Sequence, residues 1–132
     1  MDGKPGPRKL SGDCPTIILR DGKPWAALGT PGGHTIGQTV PQMVMNLIDF
    51  DMNIGQAIAV PRVSFVEPNR LMVEKGITDA VFTDLQRRGH KVRRSQGLGN
   101  AHGLRVIFDA EQNTWRYEGA ADPRGYGKAD GY

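Results

Sequence analysis

The sequence predicts an α+β fold with mostly antiparallel strands, formed by a single domain over residues 1–132. Hydrophobic residues make up 38% of the chain, which is enough for a globular core and too much for wholesale disorder. The 18 glycines and 9 prolines favour many turns and short elements over a helical bundle. The predicted elements follow the order hairpin, helix, strands, helix, strands, which is typical of an α+β fold.

A hairpin over residues 16–28 begins this order, after an irregular lead-in over residues 1–13 that is rich in glycine, proline and charge. Asp21-Gly22 separates the two apolar runs of the hairpin. This dipeptide favours a type I′ turn, because both of its residues readily adopt positive φ. A glycine-rich turn over residues 29–33 ends the second strand.

Two helices are predicted next. Pro41 interrupts the first helical pattern, so it marks either the first regular turn or a kink. Asn53 is a favourable N-cap for a short second helix that runs to Val60, and Pro61 ends it. The first helix is predicted from an apolar stripe at helical spacing, made by Ile36, Val40, Met43, Val44, Leu47 and Ile48.

The second half of the chain alternates strands with one more helix. This helix is expected over residues 79–88, with Thr78 as its N-cap and Gly89 as its C-terminal stop. Its buried side would consist of Ala80, Val81, Phe82 and Leu85. Strands are expected at residues 62–66, 71–74, 91–94, 104–108 and 114–119.

Charge and cysteine content argue against several classes of function. The formal net charge of +3 is too small to indicate a nucleic-acid partner, and no aromatic pair is interleaved with the basic residues between 87 and 94. Cys14 is the only cysteine, so neither an internal disulfide nor a thiolate metal cluster can form. The N-terminus does not resemble a signal peptide, and no run is apolar enough to span a membrane, so the localisation stays open.

The Gly32-Gly33 pair is the first candidate for chemistry, because it stands between a strand and a helix N-terminus. Two successive glycines let backbone N–H groups approach a ligand closely, and the helix dipole adds positive potential there. Such a turn suits a developing oxyanion, and a tight turn without a ligand is the alternative. His34 is expected to have a capping or surface role. His90 and His102 have no partner at ligand spacing, so no metal site is expected.

Four segments resemble the small subunit of the γ-glutamyltranspeptidase family, and their order and spacing match that family. The resemblance covers nearly the whole chain, and the four segments are specific together although none is specific alone. The segments are residues 10–17, residues 29–33, Met52-Asn53-Ile54 through Ala57 with Pro61-Arg62, and Asp122-Pro123-Arg124 with Gly131-Tyr132.

The resemblance implies a partial αββα sandwich of the N-terminal-nucleophile hydrolase type, formed by the C-terminal part of a small subunit. In this family a precursor cleaves itself before a threonine, which then attacks γ-glutamyl amides such as glutathione to form an acyl-enzyme. The chain is expected to lack this nucleophile and to be inactive alone. Its expected partners are the rest of the small subunit, the large subunit and a γ-glutamyl substrate, and no cofactor is expected.

The resemblance also suggests individual site residues. Gly32 and Gly33 resemble the oxyanion-hole glycines, and Ser11 matches the first of two substrate-binding serines. Gly12 stands where the second serine is expected, so one hydroxyl donor is lost, and Asp13 beside it adds negative charge. This departure leaves a related acylase with a different acyl donor as one alternative. A non-catalytic interaction or scaffold domain derived from the same fold is the other.

The association state of the isolated chain can be predicted from the strands that the resemblance places upstream of it. Without them, at least one strand edge is unpaired and apolar side chains are bared, so the isolated chain is expected to self-associate. The candidate side chains are Ile17, Leu19, Val106 and Phe108.

Overall fold

The computed structural model describes residues 12–131, and within them it contains seven strands, three α-helices and one 3₁₀ turn. Ser11, a predicted substrate-binding residue, lies outside the described residues. The elements in chain order are β1 (Thr16–Arg20), β2 (Lys23–Gly29), the 3₁₀ turn (Gly33–Thr35), α1 (Ile36–Ile48), α2 (Ile54–Ala59), β3 (Val63–Val66), β4 (Arg70–Glu74), α3 (Asp79–Arg87), β5 (Val92–Ser95), β6 (His102–Asp109) and β7 (Thr114–Ala121).

The strands form two sheets. The large sheet has the order β1-β2-β6-β7, and the small sheet has the order β3-β4-β5. All neighbouring strands are antiparallel except β4 and β5, which are parallel because the crossover through α3 returns the chain in the same direction. The prediction of an α+β fold with mostly antiparallel strands is confirmed.

The main core lies between one face of the large sheet and the helices α1 and α2. Gly103 on β6 packs so closely against α2 that a Cβ there would lie 2.6 Å from Cδ1 of Ile54. The predicted stripe of α1 is buried except at two positions: Val44 is half-buried, and Ile48 is 52% exposed. Pro41 lies inside α1 with its ring exposed, beyond the first turn. The buried members of this core are Ala26, Leu28, Ile36, Val40, Met43, Leu47, Ile54, Ala57, Ile58 and Ala101.

The opposite face of the large sheet is apolar and uncovered in the part of the chain that the structure describes. Strand register places Ile17, Ala27 and Leu104 in one row on this face, because directly paired residues point to the same side of a sheet. Val106 on this face is half-buried, and the exposed fractions of its other large side chains range from 39% for Leu104 to 70% for Ile17. We call this surface the apolar face, and it comprises Ile17, Leu104, Val106, Phe108, Trp115 and Tyr117.

The hairpin at the start of the large sheet has the predicted turn. Asp21 and Gly22 both have positive φ, at 51° and 74°, as a type I′ turn requires. The pairing of β1 with β2 is interrupted by an irregularity between Ile18 and Leu19, so that Leu19 lies opposite Pro24. This irregularity lies at the end of the hairpin that is remote from the glycine-rich turn.

Helix α1 closes the outer edge of β3 through two glutamine side chains. Gln42 accepts from the N–H of Val63 at 3.0 Å and donates to its carbonyl at 2.9 Å. Gln38 makes the same pair of bonds with Phe65, at 2.5 Å and 3.1 Å. Each side-chain amide therefore replaces one peptide group of a neighbouring strand, which satisfies backbone groups that an edge strand otherwise leaves unpaired.

Helix α3 differs from its prediction in its burial. Thr78 caps it as expected and accepts from the N–H of Val81 at 3.4 Å. None of its residues is fully buried, however, and Ala80 and Val81 are exposed. Phe82 and Leu85 are only half-buried, and at Phe82 the guanidinium of Arg94 lies 4.5 Å over the ring in place of an apolar partner.

Candidate active site

The glycine-rich turn connects the end of β2 to the N-terminus of α1. Gly32 has φ 138° and Gly33 has φ 57°, so both adopt conformations that residues with a side chain rarely take. Thr35 donates to the Gly32 carbonyl through its N–H at 3.2 Å and through Oγ1 at 3.1 Å. A Cβ on Gly32 would lie 2.3 Å from this Oγ1, so only glycine fits there.

The turn places backbone N–H donors that have no acceptor in the described part of the chain at a helix N-terminus. No oxygen of residues 12–131 accepts a hydrogen bond from the N–H groups of Gly33 or His34. Gly32, Gly33 and His34 are all exposed. The helix dipole of α1 places partial positive charge at the same point. The arrangement therefore has the chemistry of an anion site or oxyanion site.

The structure brings one predicted substrate-binding residue to this turn. Gly12 lies against Gly33, and a Cβ on Gly12 would be 2.7 Å from the Gly33 carbonyl oxygen. The missing side chain at position 12 thus lets the lead-in contact the backbone of the glycine pair directly. A serine at this position would require a shift of one segment or the other.

The loop between β5 and β6 packs against the glycine-rich turn and forms a hydrogen bond with it. The N–H of Asn100 donates to Oγ1 of Thr30 at 3.1 Å, and this hydroxyl donates to the Pro31 carbonyl at 2.8 Å. Gly99, at φ 76°, packs so tightly that a Cβ there would lie 3.0 Å from the same Oγ1. Thr30 therefore links the loop at residues 98–101 to the glycine-rich turn.

A cluster of buried charges fixes that loop in turn. Glu74 accepts from the N–H of Leu98 at 2.7 Å, and Nη1 of Arg62 donates to the Leu98 carbonyl at 2.7 Å. Asp122 accepts from the N–H of Ala101 at 2.7 Å and forms an ion pair of 2.8 Å with Arg62. Both ends of the loop are thus held by buried carboxylates.

Arg124 completes this cluster. It forms ion pairs with Glu74 and with Asp122, the second at 3.0 Å. Its guanidinium also donates to the carbonyls of Ile58 and Val60, each at 3.0 Å, at the C-terminal end of α2. A cation at this position complements the negative end of the helix. We refer to Arg62, Glu74, Asp122 and Arg124 as the buried charge cluster.

Hydrogen bonds decide the protonation states within the cluster. Burial raises the pKa of Glu74 and of Asp122, but donors to the charged carboxylates outweigh it and the pKa of each carboxyl is lowered. The main donors are Arg124 for Glu74 and the N–H of Ala101 for Asp122. The hydrogen bond to Glu74 raises the pKa of Arg124, whereas burial lowers the pKa of Arg62. All four groups are charged at neutral pH.

Acid should destabilise the fold through these two carboxyls. Their folded-state pKa values lie below the unfolded values of about 4, so their stabilisation is fully present above about pH 4. It is lost as the pH falls through the folded-state values. Urea unfolding midpoints at pH 7, 5 and 3 should therefore drop mainly in the last interval. An Asp122→Asn variant should show a shallower drop, and an equally steep one would contradict this assignment.

Sequence reasoning identified part of this arrangement. Arg62, Asp122 and Arg124 belong to segments that carry the family resemblance, although no role was assigned to them. The role of Glu74 could not be predicted from the sequence, because a single acidic residue at the end of a strand is typical of an exposed position. His34 is exposed and its carbonyl accepts from Gln38 at 3.2 Å, as a surface role predicts.

Comparisons with known proteins agree with this geometry. The sequence profile of the gamma-glutamyltranspeptidase family matches residues 3–132. The chain is 39% identical over 121 residues to the glutathione hydrolase proenzyme of Escherichia coli, and 36% identical over 121 residues to the acylase ACY 1 proenzyme of a Pseudomonas species. These matches cover 91% and 87% of the chain but only 20% and 21% of the relatives.

Solved structures give the same result. A gamma-glutamyltranspeptidase mutant of Helicobacter pylori superposes with a TM-score of 0.83 at 31% identity, over 95% of this chain and 66% of that one. The fold is therefore that of an N-terminal-nucleophile hydrolase, of which the described residues supply the large sheet with the helices α1 and α2 that cover one of its faces, together with the small sheet and α3. Within this class, the chain belongs to the gamma-glutamyltranspeptidase family.

Proposed function

We propose that this chain is part of a γ-glutamyl transferase or hydrolase, in which it supplies the oxyanion-binding turn and part of the substrate site. The observation that carries the proposal is the Gly32-Gly33 turn at the N-terminus of α1, where the N–H groups of Gly33 and His34 have no acceptor among residues 12–131 and Gly12 lies against the Gly33 carbonyl. This is the geometry that a tetrahedral intermediate of acyl transfer needs. The family membership supports it.

The remaining catalytic parts come from outside the chain in this proposal. A threonine hydroxyl of the preceding segment attacks the γ-carbonyl carbon, and the α-amine of that threonine takes its proton. The carbonyl oxygen becomes an oxyanion that accepts from the N–H groups of the glycine turn. The bond between this carbon and the substrate nitrogen then breaks, the substrate's amine leaves with the proton that the α-amine took, and a threonine ester remains. Water or an acceptor amine attacks this ester, its proton passes to the threonine oxygen, and the γ-glutamyl group is released as glutamate or as a new amide.

A related acylase is the second candidate, and position 12 favours it. Gly12 offers no hydroxyl where the family resemblance expects a serine, and the chain is also similar to an acylase proenzyme. A site with one donor fewer binds the charged end of a glutamyl group less strongly. An acyl group without an α-amino acid terminus would lose nothing at this position.

One assay separates these candidates. The full-length parent is supplied with γ-glutamyl-p-nitroanilide and with glutaryl-p-nitroanilide, which lacks the α-amino group. A γ-glutamyl enzyme should prefer the first substrate by kcat/KM, and an acylase should accept the second equally or better. Turnover of neither substrate would contradict both candidates.

Thr30 should position the glycine turn in this enzyme. Thr30→Val keeps the shape of the side chain but removes the acceptor for Asn100 N–H, so kcat of the parent should fall roughly fivefold, as expected for one hydrogen bond of about 1 kcal/mol. KM should change less, and Thr30→Ser should restore most of kcat. The control is Thr78→Val, which removes a helix cap remote from the turn and should lower stability while leaving kcat intact. Equal effects of the two valine variants on kcat would contradict the role.

The apolar face indicates where the rest of the precursor packs in this proposal. A second sheet on that face would give the second β layer of an αββα sandwich. The isolated chain should therefore self-associate through this face. Sedimentation velocity over a concentration series should show oligomers, and Tyr117→Lys with Leu104→Lys should shift them toward monomer. A wild-type chain that stays monomeric with a sharp melt would favour a free-standing interaction domain.

A further inference from the structure

A cleft of about 560 Å³ lies at the far end of the large sheet from the glycine turn. The pairing of β2 with β6 ends at Ala26 opposite Arg105. The β1-β2 hairpin and the β6-β7 hairpin both continue beyond this point. The two hairpin ends therefore separate and leave the cleft between them. Its lining combines cationic and aromatic side chains, chiefly Arg20, Lys23, Trp25, Phe108, Trp115 and Arg116.

Aromatic rings hold the cations of this cleft in place. The guanidinium of Arg20 lies 4.0 Å from the Trp25 ring centroid, and Nζ of Lys23 lies 5.9 Å from that of Trp115. Phe108 contacts Trp115 with ring centroids 4.7 Å apart. Cation–π contacts of this kind orient a charge while leaving its hydrogen-bond donors available.

The cations exceed the carboxylates that could neutralise them. Neither Arg20 nor Lys23 forms an ion pair with any residue between 12 and 131. Arg105 and Arg116 share one partner, Glu118, at 3.1 Å and 3.8 Å. Asp21 is the one carboxylate among the described residues that line the cleft, against the cations Arg20, Lys23, Arg105 and Arg116. The described lining is therefore electropositive and complements a negatively charged occupant.

The cleft is continuous with the apolar face. Phe108 and Trp115 belong to both, and an adjoining pocket of about 300 Å³ is lined by Lys23, Pro24, Val106, Trp115 and Tyr117. A layer that covers the apolar face therefore ends beside Arg20 and Lys23. This continuity favours an occupant that belongs to the covering layer.

We infer that the cleft receives an acidic segment of the remaining precursor, whose carboxylates pair with Arg20 and Lys23 when its sheet packs on the apolar face. This inference rests on the proposed function, because it takes that precursor as the partner. The apolar face supplies contact area without direction, whereas charges at one end fix the orientation of the covering layer.

The test measures association between this chain and the polypeptide encoded upstream in the same reading frame, supplied as a separate chain. Arg20→Glu with Lys23→Glu should weaken association about tenfold and reduce its dependence on salt, as loss of complementary interface charges does. Arg20→Gln with Lys23→Gln should give an intermediate loss. The matched control is Lys75→Glu with Lys91→Glu, an equal charge change at exposed positions of the small-sheet region.

The outcomes separate the inference from the proposed function. No association of the wild-type chains would overturn the proposed function together with the inference. Association that both charge-reversed pairs weaken equally would overturn the inference alone. A third arm adds 2-naphthoate to the assembled complex. Saturable binding that the Glu pair abolishes would mean that a small organic anion occupies the cleft, and this also overturns the inference.

Discussion

In the enzyme proposed above, Gly33→Val should lower kcat by about 10²–10³-fold, or about 2.7–4 kcal/mol, which is typical for loss of one oxyanion donor. A Cβ at Gly33 would contact nothing within 4 Å, so the loss does not arise from a clash. It arises because valine does not tolerate φ 57° and would turn the peptide N–H groups away from the oxyanion. Steady-state kinetics with γ-glutamyl-p-nitroanilide should show a fall in kcat that exceeds any change in KM.

Two further variants make this prediction specific. Gly33→Asn should retain more activity than Gly33→Val, because asparagine enters the left-handed region more readily. Gly37→Ala is the matched control, since Gly37 lies in α1 with open space around it and normal helical φ. It should leave kcat unchanged and raise stability slightly. An unchanged kcat for Gly33→Val would remove the glycine pair from the mechanism.

Asp122→Ala should lower the free energy of unfolding by about 3–5 kcal/mol, as expected when one partner of a buried ion pair is removed. Arg62 would then stay buried with one neutralising partner fewer, and its Nε already has no hydrogen-bond partner within the described part of the chain. The N–H of Ala101 would lose its acceptor as well. Urea unfolding of the parent, followed by circular dichroism, should show a lower midpoint.

Asp130→Ala is the matched control for this loss. Asp130 also forms an ion pair, with Lys128 at 2.8 Å, but both side chains are exposed. Its removal should leave the unfolding midpoint unchanged, because surface pairs contribute little. Equal effects of the two substitutions would show that the buried charge cluster does not stabilise the fold.

Local patterns predicted most of the fold. The turn preference of Asp21-Gly22 predicted the hairpin, and the apolar periodicity predicted α1. Both signals arise within a few neighbouring residues. The side chains of Ile17, Leu19, Val106 and Phe108 were predicted to be exposed. Ile17, Leu19 and Phe108 are exposed, whereas Val106 is half-buried. The burial of α3 was predicted wrongly because the cation–π contact of Arg94 with Phe82 joins residues 12 positions apart.

The candidate site was less accessible to sequence reasoning. Gly32 and Gly33 were predicted as site residues from their place between a strand and a helix. Both have positive φ angles, and their role in chemistry stays a prediction. The contacts that support them span much greater distances along the chain: Thr30 to Asn100 is 70 residues, and Glu74 to Arg124 is 50. No periodic pattern encodes such pairs, so Glu74 emerges only in the folded chain.

The glutamine pairing of α1 with β3 has a geometric consequence for the glycine turn. Gln38 and Gln42 are four residues apart on a helix, which is about 6.0 Å, and Val63 and Phe65 are two residues apart on a strand, which is about 6.6 Å. The near-equal spacings let the helix lie alongside the strand in a single alignment. If α1 shifted along its axis by one turn, at least one of the two glutamine amides would lose its hydrogen bonds to β3. The small sheet thus fixes the position of α1 along its own axis, and with it the position of the helix N-terminus next to Gly33.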